Sequence, residues 1–296
     1  EVHWERPIMD QPFIQSSCGK CHLSVFARNE SFQGAETFLE GQHIFNREGC
    51  LGCHKARGVG GIIGPDLTEQ GEKTRSDYDF QNITTEQTVS NWLKEHFRDP
   101  EMVSPGSQML KIDLPEAELD ALSTFVLGLT RPDIDLEYFS LNTLEEFKGV
   151  RETMDPQQAF SMICSACHGK DGEGKNYEEY ETGVPGIGRT DFRRVASRDY
   201  IEFTLMRGRS RRQMASWTED HSGVRLQEML KLASMLDTCQ GCVAAFDPVV
   251  FRSVEESTGQ ALFETFCATC HGNWGSGGVA LSLNQEDLLR NASTDY

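Results

Sequence analysis

Residues 41–54, G41-Q-H-I-F-N-R-E-G-C-L-G-C-H54, end in a C-x-x-C-H unit, and the same unit recurs as C18-G-K-C-H22, C164-S-A-C-H168 and C267-A-T-C-H271. These four units use eight of the ten cysteines. The spacing is the attachment signature of c-type haem: Cys18, Cys21, Cys50, Cys53, Cys164, Cys167, Cys267 and Cys270 supply thioethers to the porphyrin, and His22, His54, His168 and His271 supply axial nitrogens to iron. Paired C-x-x-C motifs also build zinc ribbons and redox dithiols. A zinc shell is complete with two such pairs, however, and gives no reason for a histidine directly after the second cysteine four times over.

On these motifs the chain resembles the class I c-type cytochromes, as a multihaem member of that superfamily. The resemblance implies a mainly α fold of tandem class I cytochrome c domains, each a few helices wrapped round a covalently bound haem, with four such haems in all. It also implies electron transport in an oxidising compartment, the periplasm or the extracellular face of a bacterial membrane.

At 296 residues the chain is long enough for two or three domains with cores of their own. Its formal net charge of -18 disfavours nucleic acid as a partner and favours a basic redox partner protein. The given chain contains no apolar run long enough to span a membrane. Its start, E1-V-H-W-E-R, does not read as a signal peptide, so the expectation is mature, processed material.

Self-comparison reveals an internal repeat. Aligning the third and fourth units sets Phe160 opposite Phe263, four residues before each first cysteine, and matches D191-F-R-R-V-A-S-R-D-Y200 to D287-L-L-R-N-A-S-T-D-Y296 at six of ten positions. The earlier copy runs on to Met214, fourteen residues past Tyr200, in a segment resembling the one that supplies the family's Met thioether ligand. The later copy stops at Tyr296, which leads to the expectation that its C-terminal part is missing; the alternative is a ligand from elsewhere. The organisation expected is therefore an N-terminal haem-binding segment at 1–34, a cytochrome c domain at 35–131, a linker at 132–153, a second domain at 154–246 and a partial one at 247–296.

The resemblance extends to the surroundings of the second and third units. Gly41 and Phe45 occupy helix-packing positions before Cys50, and G64-P-D-L67 resembles the loop whose proline carbonyl accepts the proximal imidazole N–H. Pro185 takes the same part for His168. The segment from Asn91 to Met109 resembles the approach to the Met ligand in haem subunits of cbb3-type oxidases, which makes Met109 the distal ligand of the second haem and Met214 that of the third. Leu110 stands where many relatives have proline. The following L114-P-E-A-E-L-D-A-L-S-T-F-V-L-G-L129 reads as an amphipathic helix with Leu119, Leu122, Phe125, Val126 and Leu129 on one stripe. Pro115 and Glu116 suit its first turn. L226-Q-E-M-L-K-L-A-S-M-L236 is its counterpart, and Met162, Met229 and Met235 read as core residues.

The first unit lies too close to the second to own a domain, since Cys50 follows His22 by 28 positions. Its haem must share an enclosure with the next unit. Candidates for its sixth ligand are His3, Met9, His43, His96 and Met102. His43 ranks first, because it lies about 200° round a helix axis from Phe45 and so points away from the core. His96 shares a face with Trp92, as a packed histidine or a ligand, and His221 reads as a surface loop residue.

Cys239 and Cys242, in D237-T-C-Q-G-C-V243, lack the following histidine. In an oxidising compartment the expectation is a disulfide, with a degenerate haem site or a redox dithiol as alternatives. The function expected is a tetrahaem electron-transfer protein, a subunit of a respiratory membrane complex or a free relay. The alternative is a haem enzyme acting on a small substrate at an iron with an open sixth position.

Overall fold

The structure, a computed structural model, describes residues 13–26, 33–131, 153–177, 182–190, 192, 196–209, 213–238, 263, 267–276 and 283–284. His3, Met9, Cys239 and Cys242 lie outside them, as does the side chain of Cys270. The chain divides into two compact units: 1–154 with 161–163 and 220–224, and 155–160 with 164–219 and 225–296.

In the first unit, α1 (Glu36–Arg47) packs on a helix spanning Glu116–Leu127, the fourth helix in chain order and hence α4. Between them come α2 (Val89–Arg98) and α3 (Pro100–Val103). The close approach of α1 and α4 depends on Gly41, where an added Cβ would lie 1.9 Å from the Ala121 carbonyl oxygen. That proximity lets Phe125 meet both Phe38 and Phe45, with ring centroids 5.3 and 5.2 Å apart and tilted planes. Tilted aromatic pairs of this kind contribute about 0.5–1.5 kcal/mol each beyond their buried area. The expected stripe of Leu119, Leu122, Phe125, Val126 and Leu129 is buried throughout. Pro115 sits at the N-cap of α4 and not in its first turn.

Helix α1 begins at Ala35, a residue that cannot cap it. The amide oxygen of Gln15 does so instead, accepting from the backbone N–H of Thr37 at 2.7 Å and of Phe38 at 3.1 Å. Further along, Gln42 donates to the Ser24 carbonyl at 2.7 Å and the buried Asn46 to the Val25 carbonyl at 2.9 Å. Residues 13–26, which begin with a 3-10 turn at Phe13–Lys20, are thus laid along α1 by three polar side chains.

Strands β1 (Lys55–Ala56) and β2 (Val59–Gly60) form a hairpin directly after His54, with Ala56 paired to Val59. Arg57 and Gly58 make its turn, with φ of 48° and 83°. Two successive positive φ values mark a type I′ turn, which ordinarily takes Asn, Asp or Gly at its first position. Holding arginine there costs about 1 kcal/mol or more.

From residue 155 onward, α5 (Pro156–Ala159) leads through a π-helical turn at Phe160–Cys164 into α6 (Ser165–His168). Strands β3 (Lys175–Tyr177) and β4 (Thr182–Val184) pair antiparallel. Helix α7 (Arg198–Arg207) is capped by the Ser197 hydroxyl. A single turn, α8 (Glu219–Ser222), holds the exposed His221, so the residue expected in a loop is surface-exposed but helical. Helix α9 (Leu226–Thr238) packs on α7 and α5. Met162, Met229 and Met235 are buried, consistent with the core role expected of them. The last described helix is α10 (Ala268–His271). Among the described residues no helix is long and apolar enough to cross a membrane.

Candidate functional site

Each attachment motif folds as one tight turn. The His54 N–H bonds to the Cys50 carbonyl at 3.0 Å and the His22 N–H to that of Cys18 at 2.8 Å, so each histidine is held one turn from the first cysteine of its motif. In the third and fourth motifs that turn is helical and ends at a glycine of nearly the same conformation: Gly169 at φ 91°, ψ 158° and Gly272 at φ 78°, ψ 162°. Both glycines bond back to the residue after the first cysteine, Gly169 to Ser165 at 2.9 Å and Gly272 to Ala268 at 2.8 Å. A positive φ here favours glycine, which lets the chain turn away immediately after the histidine.

The expected contacts between histidine and proline are present twice. His54 Nδ1 lies 2.8 Å from the Pro65 carbonyl oxygen and His168 Nδ1 lies 2.8 Å from that of Pro185. A carbonyl only accepts, so each Nδ1 carries the proton, and in the neutral ring Nε2 keeps its lone pair for a metal. Burial holds both imidazoles below their ordinary value, with the proline carbonyls partly offsetting it. Gly64 completes the His54 seat, since an added Cβ would lie 2.5 Å from the ring Cε1.

Burial is the main cause that pushes the Cys50 and Cys164 thiols up to about 12, so neither is a thiolate at neutral pH. None of the described attachment cysteines takes part in a disulfide. Among the described residues no group of three or more His, Cys, Asp or Glu is placed to hold a metal ion.

The distal candidates lie on extended segments fixed by neighbouring helices. Met109 is half-buried; its N–H meets the Ser107 hydroxyl at 3.3 Å, and the chain beyond is tied to α2 by Ile112 N–H to the Phe97 carbonyl at 2.9 Å. Met214, also half-buried, accepts at its carbonyl from Arg209 N–H at 2.8 Å, just past the end of α7. His43 is exposed on α1, as expected of a residue turned from the core, and Met102 is exposed at 38%.

His96 stacks on Trp92 with ring centroids 4.6 Å apart. Its Nδ1 is buried without a hydrogen-bond partner, and burial followed by the nearby His54 lowers it to about 4. The structure therefore places His96 in the neighbourhood of His54, the second motif. Sequence reasoning missed three further residues: Gln15, whose signal was the uncapped Ala35; Glu95, a buried carboxylate that accepts from Thr84 and Thr85; and Arg57. The signal for Arg57 was an arginine in a turn position that glycine or asparagine normally fills.

The paired motif, the seated imidazole and the helix-on-helix closure all fall within one stretch of the first unit. Residues 38–130 match the family model of cytochrome c. The match makes this stretch similar to a c-type cytochrome domain. The chain is 27% identical over 113 residues to a nitric oxide reductase subunit of Paracoccus denitrificans, covering 36% of this chain and 69% of that protein. It is 28% identical over 91 residues to cytochrome c oxidase subunit 2 of Alkalihalophilus pseudofirmus, covering 30% of this chain and only 25% of that protein. No solved structure gives a significant match.

Proposed function

We propose that the chain is a tetrahaem electron-transfer protein, with tandem class I domains following an N-terminal haem segment, that works outside the cytoplasm alongside a respiratory membrane complex. The observation that carries this reading is the duplicated seat, in which His54 on Pro65 and His168 on Pro185 share one contact distance. The matching glycine geometry after His168 and His271 supports a third copy of the motif. The names of the two relatives, each a subunit of a multi-subunit enzyme, favour a role inside an assembly.

In this reading Cys18, Cys21, Cys50, Cys53, Cys164, Cys167, Cys267 and Cys270 anchor the four haems, with His22, His54, His168 and His271 as proximal ligands. Bound haem supplies a one-electron ferric–ferrous couple. The chain supplies its surroundings: Met109 and Met214 as distal thioethers that raise the potential, and His43 as the distal ligand of the first site. His43 is exposed on the same helix along which Gln42 and Asn46 lay the segment that follows His22.

Haem quantification on the haem-loaded full chain, combined with low-temperature EPR of the oxidised protein, tests the proposal. Four haems, all low-spin, are expected. A stoichiometric high-spin signal that responds to small ligands would replace the relay with an enzyme acting at an open sixth position. Fewer than four haems would remove the tetrahaem reading.

A further inference from the structure

Arg57 lies in the turn of the hairpin that follows His54, but its side chain reaches back to the first attachment motif. Its guanidinium donates to the carbonyls of His22 at 3.2 Å, Gly19 at 2.9 Å, Gly128 at 3.4 Å and Thr130 at 3.3 Å, and its backbone N–H donates to the Thr68 hydroxyl at 2.7 Å. Two of these carbonyls belong to the C18-G-K-C-H22 loop and two to the residues that follow α4. The rigid fork of arginine can serve several acceptors at once, whereas lysine offers one point charge. Contact between the two carbonyl pairs is already close, because a Cβ on Gly19 would lie 1.9 Å from the Gly128 oxygen.

Two further observations argue that the side chain is the reason for this residue. A non-glycine at φ 48° in a type I′ turn is unfavourable, and such outliers persist where the surroundings over-determine them. The guanidinium is also carried without a described carboxylate partner. Arginine cannot be deprotonated in a protein, so this buried guanidinium is charged at neutral pH.

We propose that Arg57 is a positioning residue that clamps the C18-G-K-C-H22 loop onto the cytochrome c domain and maintains a fixed positive charge beside that loop. The charge half of this rests on the reading of Cys18–His22 as a haem site. A cation held there favours the reduced, less positive iron and raises the potential of that site.

The test compares haem-loaded full-length protein with Arg57→Gln and Arg57→Lys by hydrogen exchange and by a spectroscopically resolved redox titration. Arg57→Gln should raise exchange in residues 15–26 by about tenfold or more, while the centres of α1 and α4 stay protected. It should also shift the reduction equilibrium of the first haem towards ferric by about threefold or more, where tenfold corresponds to about 59 mV for one electron. Arg57→Lys should recover the potential but not the protection. Unchanged exchange in Arg57→Gln, or equal loss of protection in α1 and α4, overturns the clamp. Equal potentials in Arg57→Gln and the wild type, or in the two variants, overturn the charge role. Mapping haem on proteolytic peptides of the wild type separates the underlying reading: a Cys18–His22 peptide without haem would remove the potential arm, and exchange would still decide the clamp.

Discussion

His54 Nδ1 and the Pro65 carbonyl oxygen are 2.8 Å apart, and this one bond fixes the tautomer, the rotation and the free nitrogen of the imidazole. The ring has no slack on its other side. Gly64 lies against it so closely that a methyl group would approach Cε1, Nδ1 and Nε2 at 2.5, 2.6 and 3.0 Å. Gly64→Ala is therefore expected to displace the proximal ring. Haem-loaded Gly64→Ala should lose or alter one low-spin EPR signal and keep the others, and a spectrum identical to wild type would refute the seat.

The same reasoning applies to the helix pair that closes the cytochrome c domain. A Cβ at Gly41 would overlap the Ala121 carbonyl, which is backbone and cannot swing aside. Gly41→Ala should cost about 1–3 kcal/mol or more through overpacking. Chemical unfolding of the haem-loaded protein measures this, and the midpoint is expected to fall without a change of slope.

In the proposed reading Met109 and Met214 are the distal ligands of the second and third haems. Replacing either by alanine leaves an iron without its thioether, so one low-spin signal should convert to high-spin in each single variant and two in the double. A variant that keeps all its low-spin signals would pass the distal role to another residue, with His96 first to be examined beside His54.

His96 gives the stability a pH dependence. Its folded value is depressed from 6.5 to about 4, by burial first and by His54 second. Between those values the unfolded chain binds more protons than the folded one, so stability rises with pH. The stabilisation is complete above about 6.5 and is lost as pH falls towards about 4. Urea unfolding at about pH 7 and about pH 5 should show lower stability at the acid end, and His96→Gln should flatten that difference.

Gln15 substitutes for the cap that Ala35 cannot provide. Gln15→Ala leaves the N–H groups of Thr37 and Phe38 without this acceptor, with an expected cost of about 1 kcal/mol. Hydrogen exchange should rise first at those two amides. A uniform rise along α1 would instead indicate loss of the whole helix.

Much of the site was legible because it is local. Four C-x-x-C-H units, the proline eleven residues after His54 and the apolar stripe of α4 are spacings along the chain, and the turn and helix periods convert them directly into geometry. Residues 38–130, which match cytochrome c, contain one of these units, its proline and the α4 stripe. His221 misled for the complementary reason, since T218-E-D-H-S-G carries no helical period and yet forms one helical turn.

By itself, then, the sequence determined the four C-x-x-C-H spacings, the prolines set against His54 and His168 and the faces of the helices, all of which depend on residues close together in the chain. Only the tertiary structure decided that His96 is buried within the electrostatic reach of His54, that Gln15 caps a helix starting 21 positions later, and that Arg57 serves the carbonyls of Gly19 and His22. The Gln15 and Arg57 contacts join segments distant in the chain through backbone amides and carbonyls. Every residue carries these groups, so no side-chain pattern records which of them a distant polar residue will meet.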